Sequence, residues 1–100
     1  MITQTATDGP VLKLDDWQFT TINGLKRVSG RITNISDMLL EHVYINFLAY
    51  NESGYRIESP FTEISFLCGG ETWKFDNVMR LPIETADVKF LRMSYLPEPD

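Results

Sequence analysis

From residue 11 onward, apolar residues recur at every second position in short runs separated by turn-forming residues. That is the period of a half-buried β-strand, whose successive side chains point to opposite faces. The cleanest run is Leu25 to Asn34. Val28, Gly30 and Ile32 fall on one side of it, and Arg27, Ser29, Arg31 and Thr33 on the other. The preceding run, Val11 to Thr20, has a fault in its period: Leu12 and Leu14 share one parity, Trp17 and Phe19 the other. One extra residue at Asp15-Asp16, a β-bulge, brings all four to the same side. Asn23-Gly24 between the two runs is a strong hairpin signal, because both residues tolerate positive φ.

Leu40 to Tyr50 is the ambiguous segment. Leu40, Val43, Tyr44, Phe47 and Leu48 match helical spacing, while Val43, Ile45, Phe47 and Ala49 match strand alternation. A helix would leave Ile45 and Ala49 on its wet face and would rest on middling helix formers. The turn chemistry of Asn51-Glu52-Ser53-Gly54 follows at once, so the strand is the better reading. Further along, Tyr55 to Ser59 begins a return strand. Pro60 lacks an N–H and marks an edge, a bulge or a crossing between sheets. Phe61 to Leu67 resumes, with Ile64 and Phe66 on one parity, and Cys68-Gly69-Gly70 is a tight turn. Glu71 to Asn77 alternates with Trp73 and Phe75 inward. Val88 to Leu96 is the last strand.

Composition agrees. Val, Ile and Thr supply 22 residues and Ala only 3, a balance that favours pleated sheet over helix. The chain is expected to be all-β, an immunoglobulin-like antiparallel β-sandwich of six to seven short strands. At 100 residues it holds one core. The expected divisions are a flexible N-terminal lead-in at 1–10, a single sandwich domain at 11–96 and a frayed tail at 97–100.

Some residues resemble a known family. Val28-Ser29-Gly30-Arg31-Ile32-Thr33-Asn34-Ile35-Ser36 looks like the opening of the FxLYD-type bacterial domains. Phe47-Leu48-Ala49-Tyr50-Asn51, followed by Gly54, resembles the signature that names them. Leu67-Cys68-Gly69-Gly70-Glu71 through Phe75 is similar to their later glycine-glutamate segment. Ala49 and Asn51 depart from the pattern but keep its physical roles. The resemblance implies an immunoglobulin-like sandwich of bacterial envelope proteins without catalytic activity. A related resemblance is to the water-stress (late-embryogenesis-abundant) sandwich. Independently of any family, Gly30 reads as a point of close approach, and Asn34 and Asn51 as turn caps.

The net charge of −5 argues against binding the polyanionic backbone of a nucleic acid. One Cys and one His exclude an internal disulfide and any multi-Cys or multi-His metal site. No apolar run approaches the roughly 18 residues of a membrane span, so direct membrane insertion is not expected. Met1 to Pro10 lacks the basic and apolar regions of a signal peptide. Such a start fits a cytoplasmic protein, or an envelope or secreted one whose leader was replaced.

Candidate chemistry is sparse. Cys68 with His42 is the one possible Cys–His pair, and nothing in the pattern brings them together. Asp15 and Asp16 are adjacent in a strand and point to opposite faces unless the bulge turns them together. No cofactor, metal or catalytic site is expected, and the chain reads as a non-enzyme. If Val43, Ile45 and Phe47 face the core, Tyr44, Leu48 and Tyr50 form an outward apolar stripe. Such a stripe marks either a partner surface or cross-strand packing under the stems of neighbours such as Arg31 or Lys74. The leading expectation is a protein-interaction or assembly module, with a protein partner or self-association through Tyr44, Leu48 and Tyr50. A carbohydrate-binding module, with Trp17 as its stacking platform if it lies outside the core, and a small structural subunit of a phage or secretion assembly are the alternatives.

Overall fold

The computed structural model describes residues 11–76 and 80–96, and all of the regular structure among them is β-strand. In chain order the strands are β1 (Leu12–Ile22), β2 (Leu25–Asn34), β3 (Leu40–Tyr50), β4 (Arg56–Glu58), β5 (Phe61–Leu67), β6 (Thr72–Phe75), β7 (Arg80–Leu81) and β8 (Asp87–Leu96). The expected lead-in at 1–10 and tail at 97–100 lie outside the described residues.

The strands form two antiparallel sheets. In one, β2 lies between β1 and the pair β6 and β7, which follow one another along its other edge. In the second, β3 lies between β8 and the pair β4 and β5. Eight segments therefore occupy six positions, three in each sheet. Ser59-Pro60 separates β4 from β5, at an edge, as the missing N–H of proline requires. The edge still holds to β3 there, because Phe47 N donates to Pro60 O at 2.9 Å. The order is that of an immunoglobulin-type sandwich, with β1, β2 and β6/β7 in positions A, B and E, and β4/β5, β3 and β8 in positions C′, C and F. Among the described residues no strand occupies position G, beside β8.

The Leu40–Tyr50 segment is extended, and its inward set is decisive. Val43, Ile45, Phe47 and Ala49 are all fully buried, as only the two-residue period allows. Phe47 is the hub of the core. Its ring lies 5.0 Å from that of Trp17, 6.1 Å from Phe75 and 6.0 Å from Phe90. Burial of one such side chain contributes roughly 1.5–3 kcal/mol. The β1 bulge is present: the register shifts between Leu14, opposite Ile32, and Asp16, opposite Arg31. Asp15 is the extra residue, and Leu12, Leu14, Trp17 and Phe19 all pack on the core. The β1–β2 hairpin turns through Asn23 and Gly24, with φ of 52° and 78°.

One expectation fails at the end of β5. Ile64 packs against the core, whereas Phe66, on its parity, is 63% exposed and Leu67 is buried. The cause is local: Phe66 has φ of 61°, which breaks the alternation and turns Leu67 inward. That conformation costs a non-glycine residue about 1–2 kcal/mol, offset here by burial of Leu67.

Two residues tie the elements together. A Cβ on Gly30 would lie 2.7 Å from the Phe75 ring and 2.8 Å from the Trp17 Cβ, and closer still to the Asp16 carbonyl oxygen. Asn34 is fully buried and uses both ends of its amide. Its Nδ2 donates to Met38 O at 2.8 Å and to Leu67 O at 3.0 Å. Its Oδ1 accepts from Ser36 N at 3.0 Å and Ser36 Oγ at 2.7 Å. The Leu67 bond crosses from one sheet to the other.

Gly30→Ala is expected to cost about 2–3 kcal/mol, because a backbone carbonyl cannot move aside as a side chain can. Urea unfolding should show a lower midpoint at unchanged slope. Asn34→Ala strands a buried carbonyl and should cost about 3 kcal/mol. Asn34→Asp should be worse at neutral pH, since a carboxylate oxygen then faces two carbonyls. It should recover towards the alanine variant on acidification, as read by thermal melts across pH.

Candidate functional site

The outer face of the second sheet carries the aromatic stripe. Because Val43, Ile45, Phe47 and Ala49 point inward, His42, Tyr44, Asn46, Leu48 and Tyr50 share the opposite face, each half-buried. Strand pairing supplies their neighbours. Tyr44 lies between Glu63 of β5 and Ser94 of β8, Asn46 between Phe61 and Arg92, and Tyr50 between Arg56 and Asp87. Leu48 is opposite Lys89.

The stripe is pre-ordered. The His42 ring stacks on Tyr44 with centroids 5.6 Å apart and planes 14° from parallel. Lys89 Nζ lies 5.3 Å from the centroid of Tyr50, a cation–π contact that holds the ring against the sheet. His42 Nε2 is 3.2 Å from Glu63 Oε1. Phe61, 56% exposed, extends the apolar area beside Asn46. Tyr44, Leu48 and Tyr50 thus lie together on one face as expected, but His42, Phe61 and Lys89 belong to it too. His42 could have been found from its parity with Tyr44. Phe61 was hidden because Pro60 interrupts the alternation that would have assigned its face.

Arg31 and Lys74 do not cover this stripe. They oppose one another in the first sheet, and the flanking side chains on this face come from β5 and β8. Trp17 does not lie outside the core either, since its ring tilts against Phe47. Cys68 is exposed in its turn, where Glu71 Oε1 accepts from its backbone N–H at 2.9 Å. The side-chain contacts of His42 are with Tyr44, Glu63 and Ser65. Asp15 and Asp16 have separate partners. Thr33 Oγ1 donates to Asp15 at 2.5 Å, and Asp16 is bound by Arg31. Among the described residues, no three His, Cys, Asp or Glu side chains converge on a point that could hold a metal.

The outer face of the first sheet is different. It holds a shallow concavity of about 540 Å³ lined by Asp16, Gln18, Arg27, Arg31, Lys74 and Asp76 among others. Its two carboxylates are each taken up by a cation, with Arg31 Nη2 2.5 Å from Asp16 Oδ2 and Lys74 Nζ 3.8 Å from Asp76, and Arg27 donates to the Asp76 carbonyl oxygen at 3.4 Å. A floor of mutually paired exposed charges offers little net potential to a ligand. The second sheet's aromatic face is therefore the better candidate.

The chain matches no family model, no curated protein and no solved structure. Its own geometry must carry the functional reading.

The hydrogen bond from Arg31, reinforced by its charge, holds the Asp16 carboxyl below the ordinary aspartate range. The pair's contribution is present above the usual aspartate pKa and is lost as pH falls through the depressed value. Carboxyl-detected NMR titration should place the Asp16 midpoint below the usual aspartate value. Arg31→Gln should return it to the ordinary range.

Proposed function

We propose that this chain is a non-catalytic protein-interaction or assembly module that docks a protein partner, or a second copy of itself, on the outer face of its second sheet. The single observation that supports this most is the outer face of β3, where His42, Tyr44, Leu48 and Tyr50 form a continuous half-buried stripe widened by exposed Phe61. No described element covers that face. Aromatic rings on a rigid sheet supply large contact area at small entropic cost, because the strand and the His42 and Lys89 contacts already fix their rotamers. The charged rim of Glu63, Lys89 and Arg92 suits a surface that excludes water at its centre and selects partners at its margin.

The resemblance of the Val28–Ser36 and Phe47–Gly54 segments to FxLYD-type bacterial domains is the ground for setting this module at a bacterial cell envelope. The structure also gives those motif residues a purely architectural use. Gly30 admits the aromatic cluster, Asn34 joins the sheets, and Asn51 Oδ1 accepts from Ser53 N and Tyr55 N at 3.0 Å each. The motif therefore supports the fold, and the face between its parts supports the function.

Tyr44→Ser/Leu48→Ser should keep the far-ultraviolet spectrum and lower the apolar area of the face. Sedimentation or light scattering across concentration should show self-association of the unmodified chain that the double variant loses by about tenfold or more. Equal association, together with equal capture of any purified partner, would remove this face as the docking surface.

A further inference from the structure

Position G of the sandwich adjoins β8, and among the described residues it is empty. Three observations converge on that edge. The first is continuity. In its own sheet the opposite edge, formed by β4 and β5, is broken at Ser59-Pro60, while in the first sheet β1 is the other uninterrupted edge. β8 runs ten residues without proline or gap, with one bulge where the register shifts beside Leu91. The second is an unfinished core. Phe90 opposes Phe47 in the ladder and so faces the inter-sheet space, yet it is 38% exposed. The third is charge. In a chain of net charge −5, the side of β8 that faces away from the core presents Lys89 and Arg92 along its middle, with the single carboxylate Asp87 at its first residue accepting from Val88 N at 2.9 Å. Lys89 is engaged with Tyr50, and Arg92 has no ion-pair or hydrogen-bond partner among the described residues.

We propose that the free edge of β8 is a strand-acceptor site that takes an extended acidic segment of another protein into position G. The segment adds main-chain hydrogen bonds along β8, as strand addition does elsewhere. Its alternate apolar side chains enter the lip beside Phe90, Met93 and Tyr95 and complete the core. Its intervening Asp or Glu side chains face Arg92 and the rim near Lys89. A cationic side chain and a bulge are also the devices that protect an edge from indiscriminate pairing. Here they leave the edge open to a strand of opposite charge and closed to most others.

A second copy of this chain is the poorer occupant. In the two-fold antiparallel register that opposes all ten β8 residues, Arg92 of each copy lies diagonal to Lys89 of the other. Four cations then gather at the centre of the new ladder, which is unfavourable. The proposal rests on strand order and the β8 edge; it shares Lys89 and Arg92 with the rim of the aromatic face but makes no use of Tyr44 or Leu48.

The probe is a labelled synthetic peptide of about nine residues alternating valine with glutamate, flanked by polar residues. Two controls accompany it: the same peptide with lysine for glutamate, and a scrambled one without alternation. Fluorescence anisotropy should show the acidic peptide binding about tenfold or more tightly than either control, with the preference weakening at high salt. Arg92→Glu should invert the preference between the acidic and basic peptides, and Arg92→Gln should abolish it. Hydrogen exchange should show new protection of β8 amides and none on β5. Tyr44→Ser/Leu48→Ser should bind the acidic peptide as the unmodified chain does, which separates this site from the face. Failure of the acidic peptide to bind, equal binding of the scrambled peptide, or protection confined to β5 would overturn the proposal. So would a chain that is already dimeric with its β8 amides protected, for then a second copy fills the edge.

Discussion

A gap the size of one methyl group organises this sandwich. At Gly30 the central strand of the first sheet has no side chain, and the Asp16 carbonyl, the Trp17 Cβ and the Phe75 ring converge on the space. Trp17 reaches it because the Asp15 bulge restores β1 to the inward parity of Leu14. Phe47 then descends from the opposite sheet into contact with Trp17 and Phe75. Bulge, glycine and aromatic cluster are thus one arrangement. Without the bulge Trp17 would face water. With any side chain at residue 30 the rings could not close over the strand. Interiors pack at the density of organic crystals, so no slack exists to absorb either change.

Asn34 performs the polar counterpart at the end of the same strand. Its amide is shut away from water, so each of its four bonds replaces one that the unfolded chain makes to solvent. What it gains is position. Met38, Ser36 and Leu67 belong to the β2–β3 connection and to β5, and one side chain holds them together. The ordering of β3 follows: once Leu40 and Leu67 close the end of the core, the strand runs straight for ten further residues and displays its outer face.

Much of this was legible because the period of a strand is short and unforgiving. A single parity assignment for Leu40 to Tyr50 placed Val43, Ile45, Phe47 and Ala49 inside and Tyr44, Leu48 and Tyr50 outside together. The fault between Leu14 and Trp17 was readable as a bulge because large apolar residues on both sides of it demanded the same face. Where local backbone geometry overrode the period, the pattern misled. Phe66 is the example, for nothing in its identity signals a positive φ. Pairing between sheets was not legible either. The cation over Tyr50 comes from Lys89, remote in sequence and adjacent only through the β3–β8 ladder, rather than from Arg31 or Lys74. Alternation assigns faces, but it does not say which strand lies beside which.

Both candidate surfaces belong to the second sheet, and the spacing of strands decides how they relate. Neighbouring strands lie about 4.8 Å apart, so a strand added beyond β8 would lie roughly 10 Å from β3. Its outward side chains would flank Arg92 and Lys89 but would not reach Tyr44, which Ser94 separates from the edge. Lys89 is the meeting point, since it already leans over Tyr50. An acidic neighbour would draw that ammonium towards the edge and compete with its hold on the ring. Coupling between edge and face must therefore pass through this one flexible stem, at the Tyr50 end of the stripe. The Tyr44 end, fixed by the His42 ring and Glu63, lies beyond its reach.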